Sequence, residues 1–140
     1  MKHVFETRVY HADTDTYGVV WHGTYLRWME QGRVEFCRDL GLDLAELKIQ
    51  NVSLPVTNMN VRYKSSAKLD DIVSVETWID KCTSLSVTFK QVIKSKTTGK
   101  VCIQALFDVV SVNSEGKLYR KMPDVIAKKI EMGIECPACV

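Results

Sequence analysis

Residues 21–41 read WHGTYLRWMEQGRVEFCRDLG. At about 100° per residue, Leu26, Met29, Phe36, Cys37 and Leu40 fall on one side, and His22 and Tyr25 continue it toward the N-terminus. Arg27, Gln31, Glu35 and Arg38 fall opposite. The pattern predicts an amphipathic helix from about Trp21 to Leu40, ended by Gly41. Beyond Pro55 the apolar residues recur at every second position instead. Val56–Tyr63, Ile72–Asp80, Leu85–Ser95 and Val101–Val112 read as strands, as does Val4–Tyr10 before the helix. Val73, Val75, Thr77 and Ile79 oppose Ser74, Glu76 and Asp80; Leu85, Val87, Phe89 and Ile93 oppose Ser86, Thr88, Lys90 and Lys94. One apolar and one wetter face imply an antiparallel sheet covered on one side. An early long helix followed by such strands predicts an α+β domain in which the helix covers the sheet.

The flanking segments complete this outline. Asp43–Ile49 adds a short helix, KTTGK (96–100) and NSEGK (113–117) are turns, and Tyr119 begins a last short strand. Asp124 caps a terminal helix that runs to about Met132 and is closed by Gly133. The 140 residues suit one domain, 1–140, with 46% hydrophobic and 26% charged residues. A net charge of +2 argues against a nucleic-acid protein. No apolar run is long enough to span a membrane, and MKHVFETRVY lacks a signal-peptide core. Five cysteines, an odd number, suit a reducing compartment, so a cytoplasmic protein without disulfides is expected. Cys136 and Cys139 form a CxxC pair, but no second pair exists to complete a zinc site, and a tail without a role is expected.

Two features interrupt the helix pattern. Arg33 projects into the apolar stripe, where a guanidinium needs a partner; Glu30, three residues earlier, predicts an internal ion pair that fixes the helix on the sheet. Gly32, costing about 1 kcal/mol against alanine in mid-helix, predicts a close approach of backbone or ligand.

The stretch before the helix, HADTDTYGVV (11–20), carries the candidate chemistry. Asp13 and Asp15 lie in a turn-forming loop, Gly18 permits a sharp bend, and His22 stands in the helix's first turn on its inward side. The N–H groups of a first helical turn can hold a carbonyl oxygen and the oxyanion formed on attack. A carboxylate and an imidazole beside such a place are the parts of hydrolytic acyl transfer. Spacing does not say which aspartate would act, and either could serve the loop alone. GxSxG and Gly-rich phosphate loops are absent, which removes serine-hydrolase and nucleotide-binding readings.

DTDTYGVVWHGTYLRWMEQGRVEF (13–36), with LG at 40–41, resembles the signature of the hotdog-fold acyl-CoA thioesterases, closest to the 4-hydroxybenzoyl-CoA thioesterase and YbgC-like branch. VRYKSSAKLDDIVSVET (61–77) resembles that family's second strand, its following loop and the Asp before the third strand. The resemblance implies an antiparallel sheet wrapped around a long central helix, and homodimers, often paired into homotetramers, with sites between subunits. It implies hydrolysis of an acyl-CoA to free acid and coenzyme A, with no metal or cofactor. It maps the catalytic carboxylate onto Asp15 and the helix-start histidine onto His22, and leaves Asp13 to organise the loop. The substrate-binding set it implies is Gly18, Val20, Trp21, Gly23, Tyr25 and Tyr63, with backbone amides around Val20–Gly23 expected to polarise the thioester carbonyl. The chain departs from the pattern at Gly23-Thr24, where relatives carry Ala-Asn or Pro-Asn. It also departs at Lys81-Cys82-Thr83-Ser84, where some relatives have several basic residues for the nucleotide end of coenzyme A; Lys64, Lys68 and Lys90 are possible substitutes. An acyl carrier protein therefore stays open as the thioester donor. The rival readings are a non-catalytic acyl-thioester-binding module and a dehydratase on the same fold.

Overall fold

The computed structural model describes residues 1–134; Cys136 and Cys139 lie outside them. The elements are β1 (His3–Arg8), α1 (His22–Asp39), α2 (Leu44–Ile49), β2 (Val56–Tyr63), β3 (Ile72–Cys82), β4 (Ser86–Ser95), β5 (Val101–Val110) and α3 (Asp124–Ile134), with a single 3-10 turn at His11–Asp13. The five strands form one antiparallel sheet in the order β1-β3-β4-β5-β2. The helix and all five expected strands are present, each boundary within two residues of the sequence reading. Tyr119 does not begin a strand: its N–H bonds Ser111 O beside an isolated Val112–Leu118 bridge.

α1 lies on the inner face of the sheet. It buries Thr24, Tyr25, Trp28, Met29, Gly32, Phe36 and Cys37. Phe36 meets Phe89 of β4 edge-on, centroids 5.8 Å apart, and each such buried side chain contributes about 1.5–3 kcal/mol. The helix ends as expected. Gly41 adopts φ +81, its N–H bonds Arg38 O, and Leu42 N–H reaches back to Cys37 O. Asp43 caps α2, its Oδ1 accepting from Ala45 and Glu46 N–H.

Three expectations are corrected. The apolar stripe of α1 is rotated: Leu26 and Leu40 are only half-buried, whereas Trp28 and Thr24 are buried, and His22 is exposed rather than inward. The outer face of β3 is not simply wet: Ser74 and Glu76 are 8% and 7% exposed, because Lys2 and Lys94 both pair with Glu76. Gly133 does not end α3, which continues to Ile134; it packs against Leu40, and its carbonyl accepts from the N-terminal ammonium.

Gly32 explains how α1 settles on the sheet. A Cβ there would stand 2.6 Å from Thr77 Oγ1 and 2.9 Å from Gln91 Nε2. Gln91, fully buried on the inner side of β4, donates from Nε2 to Met29 O at 2.8 Å and to Thr77 Oγ1 at 2.7 Å, and its Oε1 accepts from Arg33. Glycine lets the helix backbone come down onto this amide. The ion pair expected between Glu30 and Arg33 is absent. Glu30 is exposed, and Arg33 is held instead by Gln91 Oε1 at 2.9 Å and by the face of Phe107, 4.1 Å from its ring centroid.

Candidate active site

The site is built where the loop after β1 turns into α1. Asp13 is its keystone. It is 6% exposed; Oδ2 accepts from Tyr10 N–H at 2.9 Å, and Oδ1 accepts from Arg27 at 2.8 Å. Its carbonyl takes the N–H of Trp21 and the hydroxyl of Thr24. Both carboxylate oxygens are spent on structure, in keeping with the loop-organising role expected for this residue.

Asp15 is placed differently. It is partly exposed and opens a tight turn in which Gly18 N–H bonds Asp15 O and Gly18 adopts φ +78. Asp15 N–H bonds Val19 O, and Oδ1 accepts from Tyr17 N–H at 2.8 Å. Oδ2 has no partner among the described residues, so this carboxylate keeps an oxygen for other work. The far side of the turn is tied to the loop after β2: Val20 N–H bonds Ala67 O, and Val19 bridges Lys68.

The four candidate amides divide into two pairs. Val20 N–H is spent on Ala67 O and Trp21 N–H on Asp13 O, so neither can hold a carbonyl oxygen. The N–H groups of His22 and Gly23, the first two of α1, meet no acceptor among the described residues and carry the positive end of the helix. The expected oxyanion donors thus contract to His22 and Gly23. Trp21, half-exposed, folds its indole onto this turn; a Cβ on Gly23 would lie 2.4 Å from the ring. The His22 ring lies 5.0 Å from the indole and makes no hydrogen bond or ion pair with Asp15.

The two tyrosines serve the frame. Tyr25 is 2% exposed, its hydroxyl accepts from Ala67 N–H at 3.0 Å, and burial pushes its pKa up to about 12. It is T-shaped to Trp28 and to Tyr63. Tyr63 is half-exposed and donates to His22 O at 3.0 Å, tying the end of β2 to the first turn of α1. Trp21, His22, Gly23 and Tyr63 therefore gather at one helix end, the Asp15–Gly18 turn leads into it along the chain, and Val20 and Tyr25 are buried supports. Sequence reasoning missed Thr24, Arg27 and Ala67. Arg27 carries a signal only in hindsight, as a basic residue one turn into the helix after an acidic loop.

Residues 9–130 match the thioesterase-like superfamily. The acyl-CoA thioesterase YbgC of Haemophilus influenzae is 36% identical over 104 residues, covering 69% of this chain and 76% of that protein. Among solved structures, the DHNA-CoA thioesterase from Staphylococcus aureus has a TM-score of 0.82 at 28% identity, over 94% of this chain and 91% of that one. A 1,4-dihydroxy-2-naphthoyl-CoA thioesterase from Synechocystis has a TM-score of 0.85 at 19% identity, over 98% and 100%, a likeness of fold. The chain belongs to the thioesterase-like superfamily, and its α+β architecture is the hotdog fold.

Proposed function

We propose that the protein hydrolyses acyl-CoA thioesters, with Asp15 as the reacting carboxylate and the N–H groups of His22 and Gly23 as the oxyanion donors. The observation that carries the reading is the division of labour in the loop: Asp13 is consumed by structure, while Asp15 keeps an oxygen without a partner among the described residues, in the turn that leads into two helix N–H groups that are also without one. The family and the 36% identity to an acyl-CoA thioesterase support the same reaction. The thioester oxygen sits on the two amides, which bind it more strongly as charge develops. Asp15 takes a proton from water as the water oxygen attacks the carbonyl carbon, or attacks that carbon itself to form an anhydride as the C–S bond breaks, which water then hydrolyses to the free acid and the Asp15 carboxylate. In either route the C–S bond breaks as the tetrahedral adduct collapses, and the thiolate leaves with a proton as coenzyme A. The exposed His22 ring, in the first turn of the same helix, supplies that proton in this reading.

The working unit is a homodimer, paired further into a tetramer, in the cytoplasm. Support for the dimer comes from β2, an edge strand whose residues are nearly all exposed, Val56, Met59 and Tyr63 among them. Thiol release from acyl-CoAs, compared with the same acyl groups on an acyl carrier protein, tests the reaction and the donor together. Release from neither would overturn the proposal.

A further inference from the structure

The half-buried Arg33 of α1 is the cation that the proposed chemistry leaves unused. Arg33 is stacked on Phe107 and bonded to Gln91 Oε1. A guanidinium carries five N–H donors, and Gln91 is the sole acceptor it meets among the described residues. Among the described residues no carboxylate lies within ion-pair distance of it. Burial lowers its pKa and outweighs the opposing pull of the Glu30 charge, which for arginine still leaves the charge in place at neutral pH. A half-buried cation with one hydrogen-bond acceptor and a solvent-screened carboxylate nearby is under-compensated, and an anion brought to it would relieve that cost.

Beside it is a cavity of about 270 Å³, close to the volume of nine waters. Leu44, Leu54, Val56, Phe89 and Val109 make its walls, and Arg33 is the cation among them. Cys37 also lines it, with a thiol that burial pushes up to about 11 and so keeps neutral. Glu30 stands at the same cavity but is exposed, so water screens its charge from the interior. Its lining on α1, Glu30 to Cys37, lies about 12–22 Å along the helix from His22, taking 1.5 Å per residue. Within one protomer it is therefore separate from the thioester site.

We propose that this cavity binds an apolar chain ending in a carboxylate, with the chain against Leu44, Leu54, Val56 and Val109 and the carboxylate on the Arg33 guanidinium. Two sources present that chemistry: a free carboxylic acid of the kind thioester hydrolysis releases, and the far carboxylate of an ω-carboxyacyl thioester. The second source rests on the proposed function; the first does not. It also needs a neighbouring copy. If two β2 edges pair antiparallel over their full length, Val56 of one strand lies opposite Tyr63 of the other, which brings the cavity of one copy to the helix start of its neighbour.

Calorimetric titration of the wild-type protein with octanoate, and with 1-octanol as the uncharged control, tests the site without any turnover. Octanoate is expected to bind saturably, one per chain, at least tenfold tighter than octanol. Arg33→Met keeps a flexible apolar side chain and should lose at least tenfold in octanoate affinity. Val56→Phe fills the cavity, leaves Arg33 intact and should lose it equally, so it decides the matter if Arg33→Met does not fold. Absence of saturable binding to the wild type, equal binding of octanol, or unchanged octanoate binding by Val56→Phe would overturn the proposal. Hydrolysis then separates the sources. Preference for suberyl-CoA over octanoyl-CoA, abolished in Val56→Phe, assigns the cavity to the acyl tail. Octanoyl-CoA hydrolysis inhibited by octanoate without competition assigns it to the free acid. Failure to hydrolyse either thioester would count against the proposed function and leave the calorimetric result standing.

Discussion

Asp13 and Asp15 are two residues apart and of one type, yet they have opposite fates. Their difference was not legible in spacing, because it depends on partners far along the chain: Arg27 for one, and the hairpin tie to Ala67 for the other. It yields a paired prediction. Asp15→Asn keeps the turn but cannot accept a proton or attack, so kcat should fall about 10²–10⁴-fold with an unchanged melting temperature. Asp13→Asn loses the charge that Arg27 and Tyr10 N–H address, and should cost about 1–3 kcal/mol of stability with a smaller effect on kcat. Steady-state kinetics and thermal melts of both variants check the pair. An inactive but fully stable Asp13→Asn, beside a normal Asp15→Asn, would reverse the roles. The partner of Arg33 was misread for a related reason. Glu30 is near in sequence, but Gln91 is near in space, and a glutamine among apolar strand residues gives no outward sign of being a clamp.

The elements were read well because their periods differ, and long amphipathic segments carry their signal in many residues at once. The sheet order had no such signal; which strands lie side by side depends on the path of the connections. The wetter side of β3 was misjudged because lysine stems cover it. That cover has a pH consequence. Burial raises the Glu76 pKa, but the ammonium groups of Lys2 and Lys94 outweigh it and hold the carboxyl below its usual value. A carboxylate depressed in the folded state contributes stability above its unfolded pKa, near 4.3, which is lost as pH falls through the folded pKa. Glu76→Gln should therefore melt lower at pH 7 and show a shallower loss of stability below about pH 4.3 than the wild type. Melts across that range check it. The seat of α1 offers a second test. Gly32→Ala gains about 1 kcal/mol of helix propensity but forces Thr77 and Gln91 aside, an overpacking worth about 1–3 kcal/mol. A net loss of stability is expected by chemical denaturation; a more stable variant would show that the amide clamp moves freely.

For the molecule entire, the sheet has two free margins, β1 and β2, and they are not alike. β1 is joined to the body by His3–Asp39 and Lys96–Glu6 contacts on its own margin, and Val4 is its exposed large apolar residue. β2 exposes Val56, Met59 and Tyr63, and Tyr63 touches the helix start. Self-association through β2 would thus bury apolar surface and border the proposed site at once. Light scattering should give a dimer or larger at micromolar concentration. A monomer with full turnover would remove the intersubunit architecture while leaving Asp15 untouched.

The strand order also has a meaning in time. β2 pairs with β5, not with the β3 that follows it, so Val56 waits for Val109 and Tyr63 for Ile103. On the ribosome, at about 5–20 residues per second, β2 leaves the tunnel on the order of seconds before its partner strand exists. The loop that catches Val20, and the tyrosine that catches His22, both hang from the end of β2. Nascent chains stopped short of β5 should therefore hold an unpaired strand and an unformed turn at the proposed site, which makes them clients for chaperones and inert toward thioesters until the last strand closes.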